Sequence, residues 1–246
     1  SAMAAAVPQA SAGFLTGKDA AVTILYTNDV HTYIDNKSPK LTYAAIAAMK
    51  QGYVDEGKPV LLVDAGDHIQ GTAYGSMDDG ATIIELMNEA GYDIATLGNH
   101  EFDYGMARAK AIIKEADFPY VSCNWVDLRT GLRVLPAVKL FPAGGKWIAF
   151  VGITTPESFT KSTPAYFMNA KQTKYIYDIL GGDDGRKLYD AGRRPSTRPR
   201  PWAQTSSSVW AIWALTRPPL PGPVRKSLPT PPALTPSSTA TLTPSW

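Results

Sequence analysis

The chain has 246 residues, with 24 Lys and Arg against 22 Asp and Glu and a net charge of +2, which is one or two domains' worth of nearly balanced chain. That balance excludes a strongly basic nucleic-acid or membrane-surface binder, and 44% apolar with 19% charged residues excludes a wholly disordered or collagenous chain. A single cysteine, Cys123, excludes an internal disulfide and a thiolate zinc site, and no apolar run approaches the roughly 20 residues of a membrane span.

In chain order, Ser1-Ala2-Met3 reads as a cloning remnant. Residues 1–20 read as a disordered leader. The small-residue stretch Ala4 to Ala12 resembles the mature start left by a cleaved signal peptide, which makes the protein secreted, periplasmic or surface-attached. The alternative is the leader of a cytoplasmic protein. Residues 21–190 then alternate strand and helix signals. Val22 to Tyr26 is a β-branched run ending at Thr27-Asn28-Asp29. Leu41 to Met49 has helical spacing. Val60 to Val63 is an unbroken apolar run, as in a strand buried on both faces, and it ends at Asp64-Ala65-Gly66-Asp67. Ala81 to Ala90 reads as a helix stopped by Gly91, and Ile94 to Leu97 as a strand ending at Gly98-Asn99-His100. Met106 to Ala116 is helical and Tyr120 to Cys123 extended. Val134 to Phe141 and Trp147 to Ile153 flank a hairpin signal at Pro142 to Gly145. Tyr175 to Leu180 and Arg186 to Ala191 read as helices.

Residues 191–246 break with this pattern. They hold no Asp or Glu, seven Lys or Arg, 12 of the 20 prolines, 16 Ser or Thr and four of the six tryptophans. Proline at that density breaks helices and central strands, so this Pro/Ser/Thr-rich tail is expected to be unstructured. The first 190 residues carry all 22 acids and 17 bases, a net of −5.

Strand, loop and helix in repetition imply a layered α/β fold. In open α/β sheets, ligands sit beyond the carboxyl ends of the strands. Asp29 and His31 follow the first strand, Asp67 the second, and Asn99 with His100 the third. If the first segment stays extended, Asp29 and His31 share a face and an ion. Asp67 can bridge two cations, and Asn99 offers a neutral carbonyl oxygen. This sulfur-free oxygen and nitrogen set suits Zn, Mn or similar divalent ions. Two metals about 3.5–4 Å apart are the usual device for phosphate-ester hydrolysis, with a metal-activated hydroxide attacking phosphorus. Asp103, three residues after His100, is placed to fix the imidazole's tautomer, giving a catalytic pair. On this reading His100→Asn costs turnover and spares metal content. Asp64 reads as structural, and His68 as lining the edge. Each cluster alone reads equally well as a turn or a surface histidine; the weight lies in three of them, in order, at three strand ends.

The stretches Leu25 to His31, Asp64 to Thr72 and Leu97 to Gly105 resemble the first three metallophosphoesterase blocks of the 5′-nucleotidase family. The resemblance spans residues of about 20 to 190. It implies a layered calcineurin-like metallophosphoesterase sandwich, incomplete at its C-terminal side. It implies a dinuclear, metal-dependent hydrolase of nucleotides, or alternatively of UDP-sugars or cyclic nucleotides. By the same resemblance Asp29 and His31 bind one metal, Asp67 bridges, Asn99 binds the second, and His100 with Asp103 forms the catalytic dyad. Family members continue with a Gly-His block, a Gly-His-Ser-His block and a second, substrate-binding domain. No histidine follows His100 here. The chain therefore also reads as a catalytically inactive fragment of such an enzyme, self-associating through an exposed sheet edge.

The codon table accounts for the tail. Read one base earlier, Trp202 to Thr205 permits Met-Gly-Ala-Asp. Val209 to Thr216 permits Leu-Gly-His-Leu-Gly-Val-Asp, and Leu234 to Thr243 permits Asp-Ala-Phe-Ile-Asp-Gly-His-Ser-His. Two glycines of the middle block are forced, because a tryptophan codon ends in G and an alanine codon begins GC. Free third bases make each match cheap, but three in family order are not. A base lost near Ala191–Arg194 is the expected cause. The alternatives are a genuine Pro/Ser/Thr-rich stalk, or an SH3-type ligand at Pro218 to Pro221.

Overall fold

The computed structural model describes residues 20–34, 42–181, 185–193, 208–213 and 242–244. The leader up to residue 19, Leu41 at the expected helix start, and most of the tail lie outside the described residues. The fold is a mixed α/β sandwich of three sheets and flanking helices.

The first sheet carries the strand ends that matter. Its parallel strands are β1 (Thr23–Thr27), β2 (Val60–Asp64) and β3 (Ile94–Ala95), with β2 between the other two. Residues Val60 to Asp64 are all buried, which is what the unbroken apolar run requires of a strand covered on both faces. Side chains alternate between two cores. Val60 and Leu62 face helices α1 (Tyr43–Asp55), α3 (Ala81–Ala90) and α4 (Met106–Glu115), while Leu61 and Val63 face a later β-hairpin through Phe141, Ile148 and Phe150. α2 (Ala73–Ser76) is a single turn between β2 and α3.

Local chemistry sets the helix ends. Thr42 caps α1, its side chain accepting from the Ala45 N–H at 3.2 Å. Gly91 closes α3 in the left-handed conformation at φ 76°, where a side chain would be strained. Lys50 on α1 reaches the Gly91 carbonyl and the Asp93 carboxylate (2.8 Å), and Asp93 accepts from the Leu62 N–H at 2.7 Å. That polar tie fixes α1 and α3 against β2.

A second sheet pairs β4 (Trp125–Asp127) antiparallel with β5 (Leu132–Arg133) and β8 (Tyr177–Ile179). Tyr175 to Leu180 is therefore a strand and not the helix its sequence suggested. Tyr177 and Ile179 are buried with Asp178 between them, a period of two that a short apolar run hides. The third sheet pairs β6 (Val138–Ala143) with β7 (Lys146–Ile153) across the expected hairpin, whose turn uses Gly144 and Gly145 at positive φ. A short helix α5 (Ser158–Lys161) and a 3₁₀ turn (Pro164–Phe167) follow, and α6 (Arg186–Arg193) comes after β8.

Two tail segments are strands. β9 (Ser208–Trp213) runs parallel to β7, and β10 (Leu242–Pro244) parallel to β1. Among the described residues no helix is long and apolar enough to cross a membrane.

Candidate active site

The carboxyl ends of β1, β2 and β3 meet at one rim. After β1, the Asp29 N–H donates to the Gly66 carbonyl and the His31 N–H to the Asp67 carbonyl, at 3.1 and 3.0 Å. The first loop thus lies along the second. The segment does not stay extended, as the shared-face reading required. Asp29, His31 and Thr32 sit at φ 54°, 48° and 59°, so the chain turns sharply at the rim. Asp67 also sits at φ 59°. Left-handed non-glycine residues cost free energy and persist where surrounding bonds hold them, commonly at functional sites. Despite the turn, His31 Nε2 and Asp29 Oδ1 remain 3.8 Å apart.

Glycines allow the second and third loops to touch. A Cβ on Gly66 would lie 2.4 Å from the Gly98 nitrogen, and one on Gly98 would lie 2.2 Å from Asp67 Oδ1. No other residue permits that approach. The His100 N–H then donates to Asp67 Oδ1 at 2.8 Å.

The structure brings Asp29, His31, Asp67, His100 and Asp103 together at this rim, with Asn99 in the same loop as His100. His31, Asp67 and His100 offer ligand atoms within 4.8 Å of one another, and the His31 and His100 rings stand edge to face at 4.9 Å. Asp29 joins them through His31 and through Asp67, whose carboxylates interact. Asn99 lies between Gly98 and His100, both of which touch Asp67. Asp103 Oδ2 is 2.6 Å from His100 Nδ1.

The donor chemistry fits divalent cations. Asp67 Oδ2 and Asn99 Oδ1 are buried and have no hydrogen-bond partner. Buried polar atoms are rarely left so; Tyr43 Oη and Trp125 Nε1 in the core are two others, while these two are the oxygens expected to hold metal. His31 Nδ1 lies 3.0 Å from the Gln70 carbonyl, which only accepts, so Nδ1 carries the proton and Nε2 keeps its lone pair. Burial, and then the neighbouring Asp67, push the Asp29 carboxyl up to about 6. Burial and the Glu101 carboxylate likewise raise Asp67. Two carboxyl groups crowded this way resist ionising together, and a cation between them would relieve that repulsion. The hydrogen bond that His100 Nδ1–H donates to Asp103 raises His100, against the opposing effect of its burial.

Asp64 is structural, as expected. It is fully buried, accepts from Thr27 Oγ1 (2.6 Å) and the Gly66 N–H (2.8 Å), and pairs with His68 (2.8 Å). His68 does not merely line the edge. Its Nδ1 meets Asp64 and its Nε2 meets the Tyr120 hydroxyl at 2.8 Å, in a fully buried position. Burial alone would lower His68, but Glu101 and Asp64 outweigh it and push it up to about 9.

Sequence reasoning missed two groups. Glu101, fully buried, accepts from the backbone of the second and third loops. Its only sequence signal was an acid following Asn99 and His100 directly. Ser162, at the end of α5, has its hydroxyl 2.6 Å from the Asn99 carbonyl and 3.3 Å from Asp103 Oδ1. Nothing in the sequence linked it to residues about sixty positions earlier.

This geometry is that of a metallophosphoesterase, and residues 22–177 match the calcineurin-like phosphoesterase family; the chain belongs to it. More particularly, it is 34% identical over 163 residues to a snake venom 5′-nucleotidase of Gloydius brevicauda, covering 60% of this chain and 28% of that protein. It is 35% identical over 161 residues to the 5′-nucleotidase of Homo sapiens, covering 58% and 28%. The match thus spans under a third of these relatives' length. Among solved structures, the calcineurin-like phosphoesterase YfkN of Bacillus subtilis superposes with a TM-score of 0.56 at 24% identity, covering 77% of this chain and 60% of that one.

Proposed function

We propose that this rim hydrolyses phosphate esters of nucleotides with two divalent cations, of the Zn or Mn kind, in a protein exported from the cytoplasm. Asp29, His31, Asp67 and Asn99 would hold the cations. Bound cations would acidify water and neutralise charge on the phosphoryl oxygens. The chain's own groups do the rest. The Gln70 carbonyl accepts from His31 Nδ1–H, so the neutral ring presents Nε2 to the rim. Asp103 orients His100 and favours its imidazolium, which donates to the phosphoryl or leaving oxygen. Ser162 steadies both Asn99 and Asp103.

The observation that carries this reading is the pair of buried, unpartnered oxygens, Asp67 Oδ2 and Asn99 Oδ1, in loops that also bring His31 and His100 together. Metal analysis combined with assays on AMP, UDP-glucose and an aryl phosphate tests it. Two bound metals with AMP turnover are expected of the rim in a frame-restored chain; preference for UDP-glucose would move the substrate class to sugar nucleotides, and absence of metal uptake would overturn the reading.

A second reading has its own support. The chain has three histidines, and His68 has both ring nitrogens committed in the core. Only His31 and His100 remain for the rim. For the chain as written, Asp29, His31 and Asp67 then hold one ion weakly with water completing its shell, and turnover is absent.

A further inference from the structure

Two of the three loops at the rim are tied to each other by side chains, one after β2 with Asp67 and one after β3 with Asn99 and His100. Each gives a carboxylate to the other's backbone. Asp67 Oδ1 accepts from the His100 N–H at 2.8 Å. In return Glu101 Oε2 accepts from the Asp67 N–H at 2.9 Å and from the Gly98 N–H at 2.6 Å, and Glu101 Oε1 accepts from the His68 N–H at 2.8 Å. Glu101 is fully inaccessible, and the buried His68 Nδ1 stands 3.5 Å from Oε1 as its counter-charge.

We propose that Glu101 is a positioning residue that clips the two ligand loops together and so sets the spacing between Asp67 and Asn99. This rests on the metal reading above. A buried carboxylate is costly, and three backbone N–H donors with an adjacent imidazole are what make it tolerable. The same three bonds leave the loops little freedom. With Oδ1 of Asp67 fixed on the His100 N–H, its Oδ2 is aimed away, free for a cation. Without the clip, Asp67 and Asn99 would have to be brought to ligand distance at the moment of binding, at an ordering cost. A glutamine cannot replace the acid, because its NH₂ would face N–H donors.

The test uses the full chain. Mn²⁺ titration calorimetry on the wild type and on Glu101→Gln is combined with amide exchange by ¹⁵N NMR on metal-free protein. Glu101→Gln is expected to speed exchange at Gly98, Asp67 and His68 and to weaken Mn²⁺ binding about 10–100-fold, the usual cost of removing a group that orients a metal ligand. Glu101→Asp keeps the charge but shortens the reach; it is expected to fall between, and it carries the test if the glutamine variant does not fold. A lower melting temperature with unchanged Mn²⁺ affinity in the folded variant would overturn the clip alone. A wild-type chain that takes up no Mn²⁺ would overturn the metal reading and the clip's role with it.

Discussion

Asp29 and Asp67 are the residues at which protons and metal compete. With Asp29 pushed up to about 6 by burial and by Asp67, a cation must displace a proton there once the pH falls to about 6 or below. Mn²⁺ affinity is therefore expected to rise steeply as pH climbs through about 6, with proton release measurable by calorimetry in two buffers of different ionisation enthalpy. The stability linkage has the opposite sign. An acid whose folded value lies above its unfolded one stabilises the fold below the unfolded value, near 3.8, and loses that contribution as pH rises through about 6. The metal-free chain should thus weaken slightly between those limits and the metal-loaded chain should not; a pH-independent metal affinity would contradict this. At His100, the Asp103 hydrogen bond is the main cause of its raised value. Asp103→Asn is expected to lower the imidazole's titration midpoint in NMR, and an unmoved midpoint would remove Asp103 from the dyad. The sequence points to these six residues because they stand in short polar clusters that follow three strands. It does not point to Glu101 and Ser162, because what they bind is backbone, whose position depends on how distant loops cross.

At the scale of elements, β1 and β2 were readable from their β-branched and apolar runs, and α3 from its spacing and its closing Gly91. β8 was not, since six residues fit either period and its partner β4 lies some fifty positions away. β4, β5 and α2 were missed for a similar reason: each spans four residues or fewer, too short to show any period. The polar chain beneath the first sheet was equally hidden. Tyr92 and Thr27 (2.9 Å) continue through Asp64 and His68 to Tyr120, joining β1, β2 and the segment after α4. As an imidazolium, His68 donates to both Asp64 and Tyr120. Tyr120→Phe leaves one charged, buried N–H without an acceptor, and is expected to cost about 1–3 kcal/mol in urea unfolding. Because His68 is raised to about 9 in the fold, its stabilisation is complete below its unfolded value of 6.5 and is lost as pH rises through about 9. The wild type should lose melting temperature across that interval, and Tyr120→Phe should lose less of it. Equal loss in both would detach Tyr120 from the charged histidine.

For the whole molecule, the question is what the tail contributes. Most of it lies outside the described residues, but its two strands fall within the stretches whose shifted reading permits Gly-His blocks. β9 overlaps Val209 to Thr216, and β10 includes Leu242 and Thr243. β10 runs parallel to β1 with Leu25 opposite Thr243, so its carboxyl end points toward the rim of Asp29 and His31. Pro244 cannot donate to a sheet ladder, which confines β10 to an edge. In the shifted frame the tail would carry histidines at the positions of Ile212, Thr241 and Thr243, and a rim with only His31 and His100 is short of nitrogen ligands. The frame-restored chain is accordingly expected to bind two divalent ions per molecule and to hydrolyse AMP, while the chain as written binds at most one ion and shows no turnover. Resequencing the DNA across Ala191–Arg194, together with metal counting and AMP hydrolysis on both versions, decides it. An unshifted gene, or a restored chain that binds no more metal than this one, would mean that the tail's proline-rich sequence is the protein's own and that the rim works, if at all, with the ligands it already has.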